Sequence, residues 1–553
     1  MSRGGHIRQT HAVTNQPPPR TGVNEFTASS ALVEGVKALD AGWDADRLTE
    51  IGAHVGSAEF QDHARRAQTR PPVLRTHDKW GNRIDEVDYD PSYHSVIADA
   101  VRYGAHTSAW AEPGPGATVA RAAAFMLFAQ IEPGHACPIS MTHAAVASLQ
   151  HAPSLAEAWM PRLLSRHYSP ELSAAKPGAL IGMAMTEKQG GSDVRANTTR
   201  AVDAGGTYEL TGHKWFCSAP MSDAFLVLAQ TGDPGSGTAR PSCFLVPRLT
   251  PDGERNPFRI QRLKDKLGNR SNASAEVEFD GTLGALVGEE GRGVRAIIDM
   301  VSRTRLDCVL GSAAGMRQAV AEALWHTRSR TAFGARLVDQ PAMTAVLADL
   351  ALEAEAATLT GLVLARAHDN DADDESAAFR RLAVPVAKYW ITKRGPGHAY
   401  EALECLGGNG YTEDFPLAMR YREQPVMAVW EGSGNVMALD VLRALARDEN
   451  AVEAFGAYLG ATAGVYADYD AELEHMKTML AAVGKSTSEG DAAALARPLT
   501  ASMAVLLQAA VMLKLAPSPV AEAFIGARLV PNRTGLYGAL PRGLDLAAVL
   551  ERS

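Results

Sequence analysis

The chain has little cysteine for its size, five in 553 residues, and their placement excludes both a disulfide framework and a zinc site. Cys137, Cys217, Cys243, Cys308 and Cys405 are odd in number, widely scattered and free of any Cys-x-x-Cys spacing. They fit reduced, buried thiols of a cytoplasmic protein. Positive charge is scarce as well. A net charge of −9 argues against a protein that is basic all over and grips nucleic acid by bulk electrostatics. The segment 451–553 carries eight Lys and Arg against ten Asp and Glu, so any DNA contact must come from a local cluster. No run of about eighteen apolar residues marks a membrane span, and Met1 to Val13 mixes Arg, His and Gly without the apolar core of a signal peptide. Neither secretion nor a membrane is expected. Internal repeats and low-complexity tracts are absent. Gly291-Arg292-Gly293 lacks the third glycine and the βαβ frame of a dinucleotide fingerprint, and reads as a tight turn that starts a helix.

With 46% hydrophobic and 21% charged residues, the chain can bury large cores and should divide into three or four domains. The pattern is α+β and mainly α. Residues 1–180 open with an extended arm, Gln16-Pro17-Pro18-Pro19-Arg20, and become mostly helical; Val119 to Gln130 is too apolar for a surface helix. Over 181–286 the period changes to two. Tyr208 to Phe216, Ala224 to Gln230, Ser242 to Val246 and Ala275 to Phe279 read as strands, the last alternating apolar and acidic residues, as in a small antiparallel barrel or sandwich. Over 287–449 the helical period returns, with helices expected at Val294 to Ser329, Ala342 to His368, Ala377 to Leu406 (kinked at Gly395-Pro396-Gly397) and Trp430 to Ala446. The acidic stretch Asp369 to Glu375 reads as a solvated connector. Residues 450–553 form an extra Ala-rich helical region.

The stretch from Met185 to Asp193, Met-Thr-Glu-Lys-Gln-Gly-Gly-Ser-Asp, sets two hydroxyls around a double glycine. Backbone N–H groups approach a flavin diphosphate closely only where no Cβ intervenes, so the pattern suits a flavin cradle; alone, such a cluster is more often an ordinary turn. Further blocks follow in order: Gly212-His213-Lys214-Trp215-Phe216-Cys217-Ser218-Ala219, Leu267-Gly268-Asn269-Arg270-Ser271, Arg330-Thr331-Ala332-Phe333-Gly334, Leu406-Gly407-Gly408-Asn409-Gly410-Tyr411 and Trp430-Glu431-Gly432-Ser433-Gly434-Asn435. Together they resemble the acyl-CoA dehydrogenase family, over nearly the whole chain from Thr14 onward. The wording from Met185 to Val194 and from Lys266 to Ser274 is similar to that family's alkylation-response branch. The resemblance implies a helical, β, helical three-domain fold with a C-terminal helical extension. It also implies FAD between barrel and bundle, and a homotetramer, a dimer of dimers, in which a neighbouring subunit completes each flavin site.

Oxidation of an acyl thioester between Cα and Cβ requires a base for the α-proton and an acceptor for the β-hydride, and no side chain accepts a hydride. Glu431 matches the family's common base. Some branches place the base on the long helix after the barrel, but Ser302-Arg303-Thr304-Arg305-Leu306 holds no carboxylate. By position, Met185, Thr186, Gly190, Gly191 and Ser192 are implied to cradle the flavin and its diphosphate, and Ser218 to reach N5 or O4. Trp215 and Phe216 are implied to flank the ring, though barrel packing satisfies them as well. Arg330, Phe333 and Gln340 are implied to hold the cofactor of an adjacent subunit. Gly407, Gly408, Trp430, Gly432, Ser433, Gly434 and Asn435 are implied to close the site. Cys217 stands where many relatives carry a β-branched or aromatic residue.

The resemblance to that branch implies double-stranded DNA as a partner, and the position that carries over is Arg443, with Arg447 one turn on. The alternative is a helix surface paired with Asp448 or Glu449. Three functions stay open: an oxidoreductase with weak acyl-CoA activity acting in the response to DNA alkylation, a DNA-binding protective protein with a structural flavin, or an ordinary short- or branched-chain acyl-CoA dehydrogenase.

Overall fold

The computed structural model describes residues 10–232, 237–369, 373–530 and 535–553. The helix Ala45–Val55 turns Leu48, Ile51, Gly52 and Val55 inward at helical spacing. The helices Ala117–Ala129 and Ala136–Leu149 are buried at every position, so neither needs a polar face. An antiparallel hairpin of Val73–His77 with Arg83–Asp88 interrupts this helical part. It escapes the sequence pattern because Asp85 and Glu86 dilute the alternation of its second strand.

Seven strands form the middle sheet, in the order Ile181–Ala184, Ala224–Thr231, Arg200–Asp203, Tyr208–Ser218, Ser274–Val287, Arg240–Pro247, with Phe258–Leu263 on the long fifth member. A further pairing of Ala224–Thr231 with Arg240–Pro247 closes it. Most pairs are antiparallel, but Ile181–Ala184 runs parallel to Ala224–Thr231. The strand Ala224–Thr231 is buried throughout. Leu226 and Leu228 join Met141 and Val146 of the neighbouring helix, whereas Phe225 and Val227 join Phe244, Phe258 and Ile260 inside the barrel. A strand covered on both faces loses its alternation. Glu276 departs from the expected outward register: it is buried and bonded by Arg262 and Lys264, each at 2.6 Å.

The bundle is built on the helix Gly293–Ser329, with Pro341–Arg366, Asp374–Glu404, Pro416–Met427 and Gly434–Arg447 against it. The helix Asp374–Glu404 runs unbroken through Pro396. Gly395 serves packing there, since a Cβ would come 2.2 Å from Gln424 Oε1. The acidic connector is a correction too. Asp369 is buried and accepts from the amides of Gly116 at 2.9 Å and Thr118 at 2.5 Å, capping the helix Ala117–Ala129. Asp373 accepts from Ser376 N at 2.8 Å and caps the next helix. Asn370 to Ala372 lie outside the described residues. Beyond residue 448 the helices Glu449–Gly460, Ala467–Gly484, Glu489–Leu515 and Ser518–Arg528 pack onto the bundle. By length and composition Glu489–Leu515 could cross a membrane, but 67% of its most apolar window is buried inside the fold. All five cysteines are free and buried.

Candidate active site

Glu431 stands on the short loop between the helices Pro416–Met427 and Gly434–Arg447, with φ +57. A left-handed backbone at a residue other than glycine costs about 1–2 kcal/mol and persists only where neighbours impose it. Here they do. Buried Lys388 donates from Nζ to the carbonyls of Trp430, at 2.8 Å, and Gly432. Arg305 donates from Nε to the Glu431 carbonyl at 3.0 Å and from Nη1 to Asp440 at 2.8 Å. Thr304 Oγ1 donates to Glu431 Oε2 at 2.7 Å, and Oε1 has no hydrogen bond among the described residues. Burial raises the carboxyl above its ordinary value, and the Thr304 bond, Arg305 and Lys388 offset part of that rise. The result is a carboxylate aimed by its backbone, held at one oxygen and free at the other.

The two glycine-flanked blocks meet through a sealed ion pair. Lys214 and Glu187 are fully buried, with Nζ 2.8 Å from Oε1. Glu187 also accepts from Thr198 N at 2.6 Å, Thr198 Oγ1 at 2.9 Å and Thr199 N at 3.1 Å. Trp215 N donates to the Thr186 carbonyl at 2.8 Å. This network fixes the loop from Met185 to Asp193 against the barrel, leaving the hydroxyls of Thr186 and Ser192 without partners among the described residues. Gly190 has φ +143 and open space where a Cβ would be, so it meets the expectation of a backbone open to approach. Gly191 differs: its Cβ would strike Thr186 Oγ1 at 2.3 Å, so glycine is required there by the loop itself.

Trp215 lies at the barrel edge with Lys264 Nζ 3.2 Å from its ring centroid, and Phe216 is half exposed beside it. Ser218 Oγ is 3.2 Å from Ser274 Oγ. Cys217 faces the barrel interior and is fully buried, so its thiol points away from the Trp215 edge. Met185 and Trp430 border one apolar cluster, together with Met183 and Trp110, and Trp430 Nε1 is buried without a partner. Gly407, with φ +59, and Gly408 are open to close approach. Gly432, with φ +110, completes the Glu431 turn, and Gly434 is packed on Lys393, whose Cε a Cβ would meet at 2.3 Å. Exposed Ser433 precedes the last helix, and Asn435 Oδ1 accepts from Arg497 Nη1 at 3.4 Å.

Arg330, Phe333 and Gln340 sit apart from these groups, around the small hairpin of Thr331–Ala332 with Ala335–Arg336. Arg330 donates to Asn15 O at 2.9 Å, Gln340 donates to Ala332 O at 3.0 Å, and Phe333 is 100% exposed at the tip. No contact joins them to Thr186 or Glu431 within the described chain. On the last bundle helix, Arg443 is 57% exposed and 3.6 Å from Asp440, which also pairs with Arg305 and Arg381. Arg447 is exposed and unpaired among the described residues. Asp448 is engaged as a helix cap on Ala451 N at 3.0 Å, not as a partner for either arginine.

Sequence reasoning missed Thr304, Arg305, Lys388, Glu187 and Lys214. Thr304 and Arg305 lay in the stretch searched only for a carboxylate, and Glu187 and Lys214 lay inside the quoted blocks. Two charged residues of opposite sign flanking apolar or glycine positions were the available signal. The unpaired hydroxyls, the open glycines and the exposed aromatic edge fit a flavin with a diphosphate.

The helical, β, helical order, with a buried carboxylate on a bundle loop and an open, hydroxyl-bearing glycine turn on the β domain, is the architecture of the acyl-CoA dehydrogenase fold. Comparison with known proteins agrees. Residues 15–170 match the adaptive response protein AidB N-terminal domain, 182–282 the acyl-CoA dehydrogenase middle domain and 291–446 the acyl-CoA dehydrogenase C-terminal domain. The chain is 46% identical over 521 residues to the AidB protein of Escherichia coli (strain K12), covering 93% of this chain and 94% of that one. It is 33% identical to acyl-CoA dehydrogenase family member 11 of Caenorhabditis elegans, over 74% of this chain and 67% of that one. The crystal structure of Caenorhabditis elegans ACDH-11 in complex with C11-CoA superposes with a TM-score of 0.85 at 27% identity, covering 97% of both chains. Butyryl-CoA dehydrogenase from Megasphaera elsdenii shares the fold, with a TM-score of 0.58 at 19% identity over 76% of this chain and 96% of that one. The chain therefore belongs to the acyl-CoA dehydrogenase family, whose members bind FAD, and within it is AidB-like.

Proposed function

We propose that the protein is an FAD-dependent oxidoreductase of the AidB type that removes the α-proton and β-hydride of an acyl-CoA thioester and acts in the response to DNA alkylation. One observation carries the chemical part: Glu431, desolvated and fixed in a left-handed turn, keeps Oε1 free while Thr304 occupies Oε2. FAD, when bound, supplies the hydride acceptor. Glu431 Oε1 takes the α-proton. Burial raises its basicity, and the Thr304 bond offsets part of that rise by favouring the ionised form. Thr186 and Ser192 would hold the flavin and its diphosphate, Gly190 would let the backbone approach, and Trp215, Phe216 and Ser218 would line the cofactor. Gly407, Gly408, Ser433 and Asn435 close the remaining side. Phe333, fully exposed beside Arg330 and Gln340, completes the site of a neighbouring subunit, which supports a homotetramer.

The surface of the last bundle helix favours a second activity. Asp440 is shared by Arg305, Arg381 and Arg443, so positive charge is in excess around it, and Arg447 extends the face. Phosphates of duplex DNA are suitable partners for such a cluster. The reaction is tested by mixing the FAD-loaded protein anaerobically with acyl-CoA thioesters of graded length. Bleaching of the yellow flavin with formation of a 2-enoyl thioester supports the reading. A flavin that stays oxidised with every thioester, while duplex DNA is still bound, leaves the protective DNA-binding function in its place.

A further inference from the structure

Beside Thr304 lies a group of arginines whose charge the described residues do not fully answer. Arg303 immediately precedes Thr304 on the helix Gly293–Ser329. Its guanidinium lies 4.4 Å from the Trp110 ring centroid and makes no hydrogen bond or ion pair among the described residues. Arg121, 1% exposed, donates from Nε to Ala105 O at 2.8 Å and from Nη1 to Asp307, while its Nη2 is buried without a partner. Arg380 donates to Ala367 O at 2.7 Å. Burial, then repulsion from Arg380 and Arg121, lowers the Arg303 guanidinium to about 10. Two histidines of the group, His143 and His368, are kept neutral by burial. Of the nearby acids, Asp307 already serves Arg121, and Asp299 is bonded to His151 at 2.7 Å. Among the described residues, three permanent positive charges therefore meet two engaged carboxylates. A partly buried guanidinium without a protein acceptor is poorly solvated, and an anion that accepts from its fork improves on that.

Trp110 connects this group to the reaction site. It borders the same apolar cluster as Trp430, Met183 and Met185, and Val301, two residues before Arg303, borders it too. Trp430, next to Glu431, and Trp110, over whose ring the Arg303 guanidinium lies, are thus packed against one apolar lining. We propose that Arg303, supported by Arg121 and Arg380, recognises a carboxylate at the far end of the acyl group, so that the substrate is the CoA monothioester of a dicarboxylic acid. The inference rests on Glu431 acting as the base of thioester oxidation. The distal carboxylate undergoes no chemistry; it accepts hydrogen bonds and orients the chain. Discrimination should be strong, because an analogue ending in methyl leaves the guanidinium unanswered in a desolvated place.

The test compares thioesters that differ only at that end. FAD-loaded protein is titrated with pentanoyl-CoA and glutaryl-CoA, and with hexanoyl-CoA and adipoyl-CoA, and dissociation constants are read from the perturbed flavin spectrum and by calorimetry. The expected result is at least about tenfold tighter binding of the carboxylate-ended member of one pair by the wild type. In Arg303→Met and Arg303→Gln the ratio should collapse to within about twofold. Free glutarate, added alone, should not reproduce the spectral change. Equal wild-type affinities within both pairs, a ratio that survives in both variants, or free glutarate acting as well as its thioester overturns the inference while leaving Glu431 as the base. Failure of every thioester to bind or bleach overturns the Glu431 reading itself, and this inference with it.

Discussion

Replacing Lys214 with Met removes one half of an ion pair from a compartment that water does not reach. Burial pulls the Lys214 ammonium down to about 8, while that ammonium and the amides of the 198–199 segment hold the Glu187 carboxyl well below its ordinary range against the same desolvation. Met fills nearly the same volume, so the cavity contribution is small and the electrostatic one dominates. Glu187 keeps its bonds from Thr198 and Thr199 but loses the one positive charge that pairs with it among the described residues. Breaking one side of a buried pair costs about 3–5 kcal/mol, which should lower the unfolding temperature by about 3–4 °C if the chain of 553 residues unfolds as one unit. Because Glu187 fastens the loop that carries Thr186 and Ser192, FAD content should fall as well. The double variant Glu187→Gln/Lys214→Met restores neutrality, and Gln can still accept from the backbone amides, so it should be more stable than Lys214→Met alone. Thermal unfolding and the ratio of flavin to protein absorbance measure both effects. A Lys214→Met protein with wild-type unfolding temperature and full flavin refutes this reasoning, as does a double variant less stable than the single one.

Other perturbations reach the remaining parts of the molecule. Thr304→Val removes a hydrogen bond that favours the ionised form of Glu431, so the acid limb of the kcat/KM profile should move to higher pH; an unmoved limb shows that Thr304 does not tune the base. Glu25, buried between Arg20 and Arg317, is held down at about 2 although burial opposes this. Its contribution to stability is present above the ordinary value of 4.5 and is lost as pH falls toward about 2. Glu25→Gln should therefore flatten acid unfolding over that window, as followed by circular dichroism at stepped pH; a curve as steep as wild type removes Glu25 from the acid response. Changing Arg443 and Arg447 together to Ala should weaken binding to any duplex sequence alike and reduce the slope of log K against log salt by roughly one to two. Gel-shift titrations of both proteins decide this, and identical slopes acquit the two arginines.

The sequence made the order of helical, strand and helical regions legible because their hydrophobic periods differ, as at the change near residue 181. It did not reveal the hairpin at 73–88, where acidic residues interrupt a short alternation, nor the unbroken passage of a helix through Pro396, which packing of Gly395 on Gln424 secures. Asp369 looked like part of a solvated acidic loop, since its partners, two amides of a helix start, are some 250 residues away in sequence. At the site, single residues with a family position, such as Glu431, could be singled out from the sequence. The residues that hold them could not. Thr304 meets Glu431 across 127 positions and Lys388 reaches the flanking carbonyls across 42 and 44, distances at which no local pattern exists.

The most direct measurement is the anaerobic bleaching of bound FAD by an accepted acyl-CoA, compared between wild type and Glu431→Gln. The amide is nearly isosteric, and the left-handed turn stays anchored by Lys388 and Arg305 through backbone carbonyls that the change does not touch. Fold and flavin should therefore be retained, while the rate of bleaching falls at least about 100-fold. Bleaching at the wild-type rate in Glu431→Gln, with flavin fully bound, would contradict Glu431 as the proton acceptor.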